Sequence, residues 1–111
     1  MTIRYKNDTF DLTTTNVTTI LTCPADATII VKNVTAVHDT ASNVDAHLLL
    51  TKSGGSAKKV GYNELNKESV NLVESSLNLE ANDVLAAQAG TANEVTGVVS
   101  YAQLDRSQEN G

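Results

Sequence analysis

Residues 28–38 read TIIVKNVTAVH, a run dominated by β-branched side chains that stiffen a helix and pack well on a pleated surface. It reads as the longest strand of the chain, and its parity is mixed. Val34, Ala36 and His38 share one face of a strict alternation, whereas Ile29, Val31 and Val37 share the other. Such a strand is either covered on both sides or shifted at a bulge near Lys32 and Asn33.

Working outward, a turn through residues 39–43 leads to Val44–Thr51, where Val44, Ala46, Leu48 and Leu50 alternate inward and Asp45 and His47 face water. Ser53-Gly54-Gly55-Ser56 is a hairpin signal, because glycine tolerates the positive φ that tight turns need, and it returns the chain as residues 57–62. A polar link over 64–69 supports at most a single helical turn. Strands are then expected at 70–73, Leu77–Leu79, Val84–Ala89 and 95–104, with turns at Glu80-Ala81-Asn82-Asp83 and at 90–93. Toward the N-terminus, residues 17–23 (VTTILTC) form a strand that runs into Pro24, which lacks an N–H and restricts the residue before it.

About eight short strands spaced roughly 8 to 12 residues apart indicate an all-β fold, an antiparallel β-sandwich. A jelly-roll-like arrangement is the first expectation. An immunoglobulin-like sandwich is the alternative, without the paired cysteines and core tryptophan of antibody domains. Residues 1–111 are expected to form one domain, with 1–11 as an N-terminal arm and 105–111 (DRSQENG) as a flexible tail.

A chain of 111 residues holds one core, and with Phe10, Tyr5, Tyr62 and Tyr101 as its only aromatics that core must be aliphatic. The net charge of −5, with Lys58-Lys59 the only adjacent basic pair, cannot supply the basic stripe that nucleic acid requires. Cys23 is the only cysteine, so an intrachain disulfide framework is excluded. The first residues, MTIRYKNDTF, carry no apolar signal region and no stretch is long enough to span a bilayer, so a soluble protein of a reducing cytoplasm is expected. In that setting the N-x-T triplets at Asn7, Asn16 and Asn33 are chance.

Few residues suggest chemistry. His38-Asp39 and Asp45-Ala46-His47 flank one turn and hold ligand types suited to Zn²⁺, but alternation turns His38 inward and His47 outward, so no metal or cofactor is expected. Cys23 has no local base and ends an apolar run, which reads as a buried thiol. No carboxylate sits in an apolar run that would raise its pKa for acid catalysis. Gly54-Gly55 with Lys58 and Lys59 lacks the spacing and helix of a phosphate loop, and no calcium-loop pattern occurs. Tyr62 and Tyr101 are the available platform for stacking a sugar, and both are expected to be half-buried with wet hydroxyls.

Three segments carry a resemblance. Leu21-Thr22-Cys23-Pro24-Ala25-Asp26, Ile30-Val31-Lys32-Asn33-Val34-Thr35-Ala36 and Leu77-Asn78-Leu79-Glu80-Ala81-Asn82-Asp83-Val84-Leu85 resemble turn and core motifs of small β-sandwich virion proteins of tailed bacteriophages. Asp26 and Asn82 stand where that pattern has glycine, and both residue types can adopt left-handed backbone angles. The resemblance implies a non-enzymatic virion component made in the host cytoplasm. The first expectation is a capsid decoration or cement protein acting as a homo-oligomer, with a trimer favoured, and binding the major capsid protein. A tail, neck or fibre-adaptor protein is the alternative, as is a carbohydrate- or receptor-binding module, which predicts an exposed Tyr62 or Tyr101 in a shallow polar groove. Val31, Val37 and Leu49, on the less buried strand faces, and Tyr5 and Phe10 of the arm are the expected interface residues.

Overall fold

The computed structural model describes residues 2–105. Its strands are β1 (Thr2–Leu12), β2 (Thr18–Thr22), β3 (Ala27–His38), β4 (Val44–Thr51), β5 (Lys58–Leu65), β6 (Glu68–Asn71), β7 (Leu77–Leu79), β8 (Val84–Ala89) and β9 (Val95–Asp105). No helix occurs among the described residues.

Two antiparallel sheets stack face to face. The first has the order β1-β9-β3-β6, with β7 pairing farther along the β3 edge that β6 uses; the second has the order β2-β8-β4-β5. Through β4 the chain alternates between sheets. The β4–β5 hairpin keeps it in the second sheet, and it then alternates again to β9. This double Greek key is a jelly roll, with β6 and β7 together filling the place of one strand. An immunoglobulin-like sandwich is set aside, because its sheets pair several sequential neighbours, whereas among the described residues β4 and β5 are the only sequential strands that pair.

The mixed parity of residues 28–38 resolves as a bulge. The pairing of β3 with β9 runs Val31↔Tyr101 and then Asn33↔Ser100, so Lys32 is the extra residue. The slip lets Ile29 and Val31 face the core before it, and Val34, Ala36 and His38 after it. Val44, Ala46 and Leu48 face inward as alternation requires, and Leu50 packs against the core from β4. The core between the sheets is aliphatic, built from side chains such as Leu12, Ile29, Leu48, Leu79, Leu85 and Val99. Each is worth about 1.5 to 3 kcal/mol on full burial.

One expectation is overturned at the N-terminus. The anticipated arm is strand β1, paired with β9 from Thr2↔Asp105 to Leu12↔Val95 without a break. Phe10 and Leu12 turn toward the core side and anchor it, and Tyr101 donates a 2.8 Å hydrogen bond to Asp8 Oδ2. Phe10 lies on Gly97, where any Cβ would fall 2.4 Å from the ring and 2.2 Å from the Thr35 carbonyl oxygen, so only glycine fits. Asp105 of the expected C-terminal tail ends β9, and residues 106–111 lie outside the described residues.

The last resembling motif has a structural role. Asn82 adopts φ 67°, the left-handed angle its glycine-like position demands, whereas Asp26 does not, its turn closing with Ala27 N–H on the Pro24 carbonyl at 3.2 Å. The Asn82 turn aims Asp83 into the protein, where its carboxylate accepts from Glu80 N–H at 2.8 Å, from Ser53 N–H at 2.9 Å and from the Lys52 ammonium. Across the same corner Cys23 N–H donates to the Asp83 carbonyl oxygen at 2.9 Å, and the Cys23 carbonyl oxygen accepts from Asn82 N–H at 3.0 Å. Burial opposes the charge on Asp83, but the Lys52 ammonium and the two amides outweigh it and hold the carboxyl below its ordinary range. The motif is therefore a clasp joining the β4–β5 hairpin, the β2–β3 turn and the entry to β8.

Candidate functional site

Two outer faces and one cleft remain once the core is assigned. On the first sheet the register sets Ile3 beside Leu104 and Thr28, Tyr5 beside Ala102 and Ile30, Thr9 beside Val98 and Thr35, and Asp11 beside Thr96 and Val37. These rows alternate with the core residues Val95, Val99 and Tyr101, so they face away from the second sheet. Tyr5 is 77% exposed and Ile3 54%, with Val37 also exposed and Ile30, Val98 and Leu104 half-buried around them. The Lys32 ammonium lies 6.0 Å from the Tyr5 ring centroid, and Arg4 pairs with Asp105 at 3.2 Å at the end of β1. Ile3, Tyr5, Ile30, Ala102 and Leu104 thus form a small apolar patch at one end of this face, and the polar row Asn7-Ser100-Asn33 separates it from Val98 and Val37.

The expected interface residues divide. Tyr5 and Val37 lie on this face, while Phe10 is half-buried on the opposite side of β1. Val31 is a correction: it is fully buried between the sheets, because the Lys32 bulge reverses the parity that placed it outside. Leu49 is also corrected as an accessible residue. It does face outward from the second sheet, but it lies between Ala86 and Lys59 and is 6% exposed.

The cleft, of about 420 Å³, opens between β1 and β2 where the edges of the two sheets diverge, and Lys6, Asp8, Thr22 and Gln103 line it. Tyr101 forms its floor at 4% exposure, so the expected half-buried tyrosine is buried instead. Burial, and then the hydrogen bond to Asp8, push its hydroxyl pKa up to about 12. Arg4, Lys6 and Asp8 are exposed on this side of β1, and inward-pointing charges on an edge strand deter indiscriminate pairing with other sheets.

The outer face of the second sheet is polar. Here β4, β5 and β8 bring His47 opposite Tyr62 on one side and Gln88 on the other, with Asp45 one step along. Tyr62 is 58% exposed, more open than expected. Beside the turn Leu50 pairs with Lys58 and Leu49 with Lys59, and a bulge at Val60 then shifts the register so that His47 meets Tyr62, which the hairpin signal alone does not give.

His38 is buried and far from a ligand role. Its Nδ1 lies 2.9 Å from the Glu94 carbonyl oxygen and its Nε2 2.8 Å from that of Ser42, so both ring nitrogens are engaged by the loops they hold. Among the described residues, no group of three or more His, Cys, Asp or Glu side chains is placed to hold a metal ion. The Cys23 thiol is buried against the Ala27 and Leu79 carbonyl oxygens, at 3.3 and 3.5 Å.

The chain matches no protein-family model and no curated protein sequence. Among solved structures it is similar to a chain in the acid-stable capsid structure of Helicobacter pylori bacteriophage KHP30, with a TM-score of 0.59 and 16% identity over 96% of this chain and 90% of that one. It is similar also to a chain of the Bacillus endospore appendages, which form disulfide-linked pili, with a TM-score of 0.54 and 16% identity over the same shares. At this identity the likeness is one of fold: the jelly roll of this chain is one that a phage capsid and a bacterial pilus also use.

Proposed function

We propose that the chain is a non-enzymatic structural protein of a virion shell, in its most concrete form a capsid decoration or cement protein that binds capsid subunits. The observation that carries this reading is the apolar patch at one end of the outer face of the first sheet, where Ile3 and Tyr5 stand in water beside Ile30 and Leu104 on a rigid sheet. A contiguous apolar patch on a small soluble domain marks a surface meant to be covered. Charged residues inside β1 disfavour a purely edge-to-edge contact, so the face rather than the edge is the docking surface. The fold likeness to a chain from a phage capsid, covering nearly all of both chains, supports the same reading. A disulfide-linked appendage is less well supported, because the single thiol of the sequence is buried and cannot reach a neighbour.

In this reading subunits associate around a three-fold axis, and Ile3, Tyr5 and Val37 lie against the capsid surface. The test is co-sedimentation of the purified chain with shells assembled from the major capsid protein of the virion that carries it. Wild type is expected to pellet with the shells, and the Ile3→Asp/Tyr5→Asp variant to remain in the supernatant while keeping its circular dichroism spectrum. A wild-type chain that stays monomeric and unbound overturns the proposal.

A further inference from the structure

The two lateral edges of the sandwich differ. At β5 the sheets close on each other: a Cβ on Gly61 would fall 2.2 Å from the Leu72 carbonyl oxygen, so only glycine lets β5 come so near the chain that follows β6. At β1 they diverge, and the free edge there is a strand of 11 residues whose register with β9 carries no bulge. Residues 3–9 are exposed along it. A long, regular edge of this kind is a template for another strand.

Hydrogen bonding shows which backbone groups the edge leaves open. The Leu12 carbonyl oxygen accepts from Asn93 N–H at 3.0 Å, so it is turned to the β9 side. Val34 of β3 turns its N–H to Asn71 Oδ1 and its carbonyl to Leu72 N–H, away from β9, and the pairs Val34↔Val99 and Asp8↔Val99 carry the same phase across to β1. Successive residues alternate in direction, so Asp8, Phe10 and Leu12 bond to β9, while Ile3, Tyr5, Asn7 and Thr9 present N–H and C=O to the open edge.

The side chains decide which strand fits. Lys6 and Asp8 point to the inner side of the edge, and among the described residues neither has an ion-pair partner within the chain, whereas Arg4 is taken up by Asp105. Tyr101 occupies only Oδ2 of Asp8, and the cleft between β1 and β2 leaves room around both charges. Antiparallel pairing with β1 of a second copy, centred on Asn7, opposes Tyr5 to Thr9, Asn7 to Asn7 and, between them, Lys6 of each copy to Asp8 of the other. The open residues then form the hydrogen-bonded pairs, and the charges fall at non-hydrogen-bonded positions, where opposed Cα atoms are about 4.5 Å apart and side chains meet most closely. A slip of one residue turns the backbone groups away from each other, and a slip of two sets Lys6 against Lys6 or Asp8 against Asp8. The charges that turn away a foreign strand therefore admit this one and fix its register.

We infer that β1 is a self-complementary edge: two copies join antiparallel about a two-fold axis at Asn7, exchanging Lys6 and Asp8 as ion pairs, into one continuous sheet. Residues directly opposite share a face, so the axis stands perpendicular to the sheet and the Ile3 and Tyr5 patches of both copies point the same way. The contact needs only this chain and is separate from the three-fold association and shell docking proposed above.

The test is sedimentation equilibrium of the purified chain and of two charge-reversal variants, Lys6→Asp and Asp8→Lys, with circular dichroism to follow the fold. Wild type is expected to self-associate, and each variant, which turns two attractive pairs into repulsive ones, to associate more weakly by about tenfold or more. An equal mixture of the two variants should recover association, because each supplies the charge that the other lacks, and recovery also shows both to be folded. Ile3→Ser/Tyr5→Ser, which alters the outer face and leaves the charge pairs in place, should still self-associate, so loss of this contact and loss of shell docking are read separately. A monomeric wild type, association unchanged in either single variant, or a mixture that associates no better than its components would overturn the inference.

Discussion

The outer face of the first sheet carries Ile3 and Tyr5 in a small apolar patch, whereas that of the second sets His47, Tyr62, Gln88 and Asp45 side by side. Both faces hang on the same aliphatic core and the same alternation of strands. What differs is the outward half of each strand, which the core does not constrain. An apolar patch gains by being covered and suits a permanent partner, while a polar face can stay in water.

Changes to the shared frame should disable both faces at once. Leu85→Ala, at a fully buried position, should cost about 2 to 5 kcal/mol in urea denaturation and remove shell binding along with the fold. Asp83→Asn should cost about 2 to 4 kcal/mol at neutral pH, since three donors lose a charged acceptor. Because the folded carboxyl titrates below its unfolded value of about 3.9, its stabilisation is present above that value and lost as pH falls through the folded pKa. The gap between wild type and Asp83→Asn should therefore narrow below about pH 4.

Smaller changes should separate the faces. Tyr101→Phe loosens β1 from the core by about 1 kcal/mol and should weaken shell binding while leaving the second sheet in place. Tyr101 is protonated in the folded state up to about 12, and the unfolded value is about 10. Wild-type stability should fall as pH rises through this interval, and the Phe variant should lack that decline. Ile3→Ser/Tyr5→Ser should change stability by less than about 0.5 kcal/mol per site, because both residues are exposed, yet abolish shell binding.

Much of the frame is legible in the sequence, and the exceptions share a cause. Val44–Thr51, Leu77–Leu79 and Val84–Ala89 form as read, because each packs one face on the core and shows that face as alternation or as an apolar run. The collision of two apolar parities in residues 28–38 marks the bulge at Lys32. The same bulge misassigns Val31, since a strict count across it sorts one side wrongly. Strand β1 escapes because its apolar residues change parity, Ile3 and Tyr5 facing outward and Phe10 and Leu12 inward, while Arg4, Lys6 and Asp8 occupy inner positions at the open edge. Leu49 needs its cross-strand neighbours Ala86 and Lys59, which local sequence does not name. The Tyr62 and His47 pairing depends on the bulge at Val60, and the exposure of Tyr62 on what the second sheet leaves uncovered; neither is a local signal.

The most direct test of the two-faced account is thiol labelling on assembled particles. Tyr5→Cys and Tyr62→Cys each add one exposed thiol, and the native Cys23 is buried and silent. The account predicts that both variants react with a maleimide as purified chains, and that on the shell only the thiol at 62 still reacts. Full reaction at 5 on the particle, or protection at 62 instead, would contradict it.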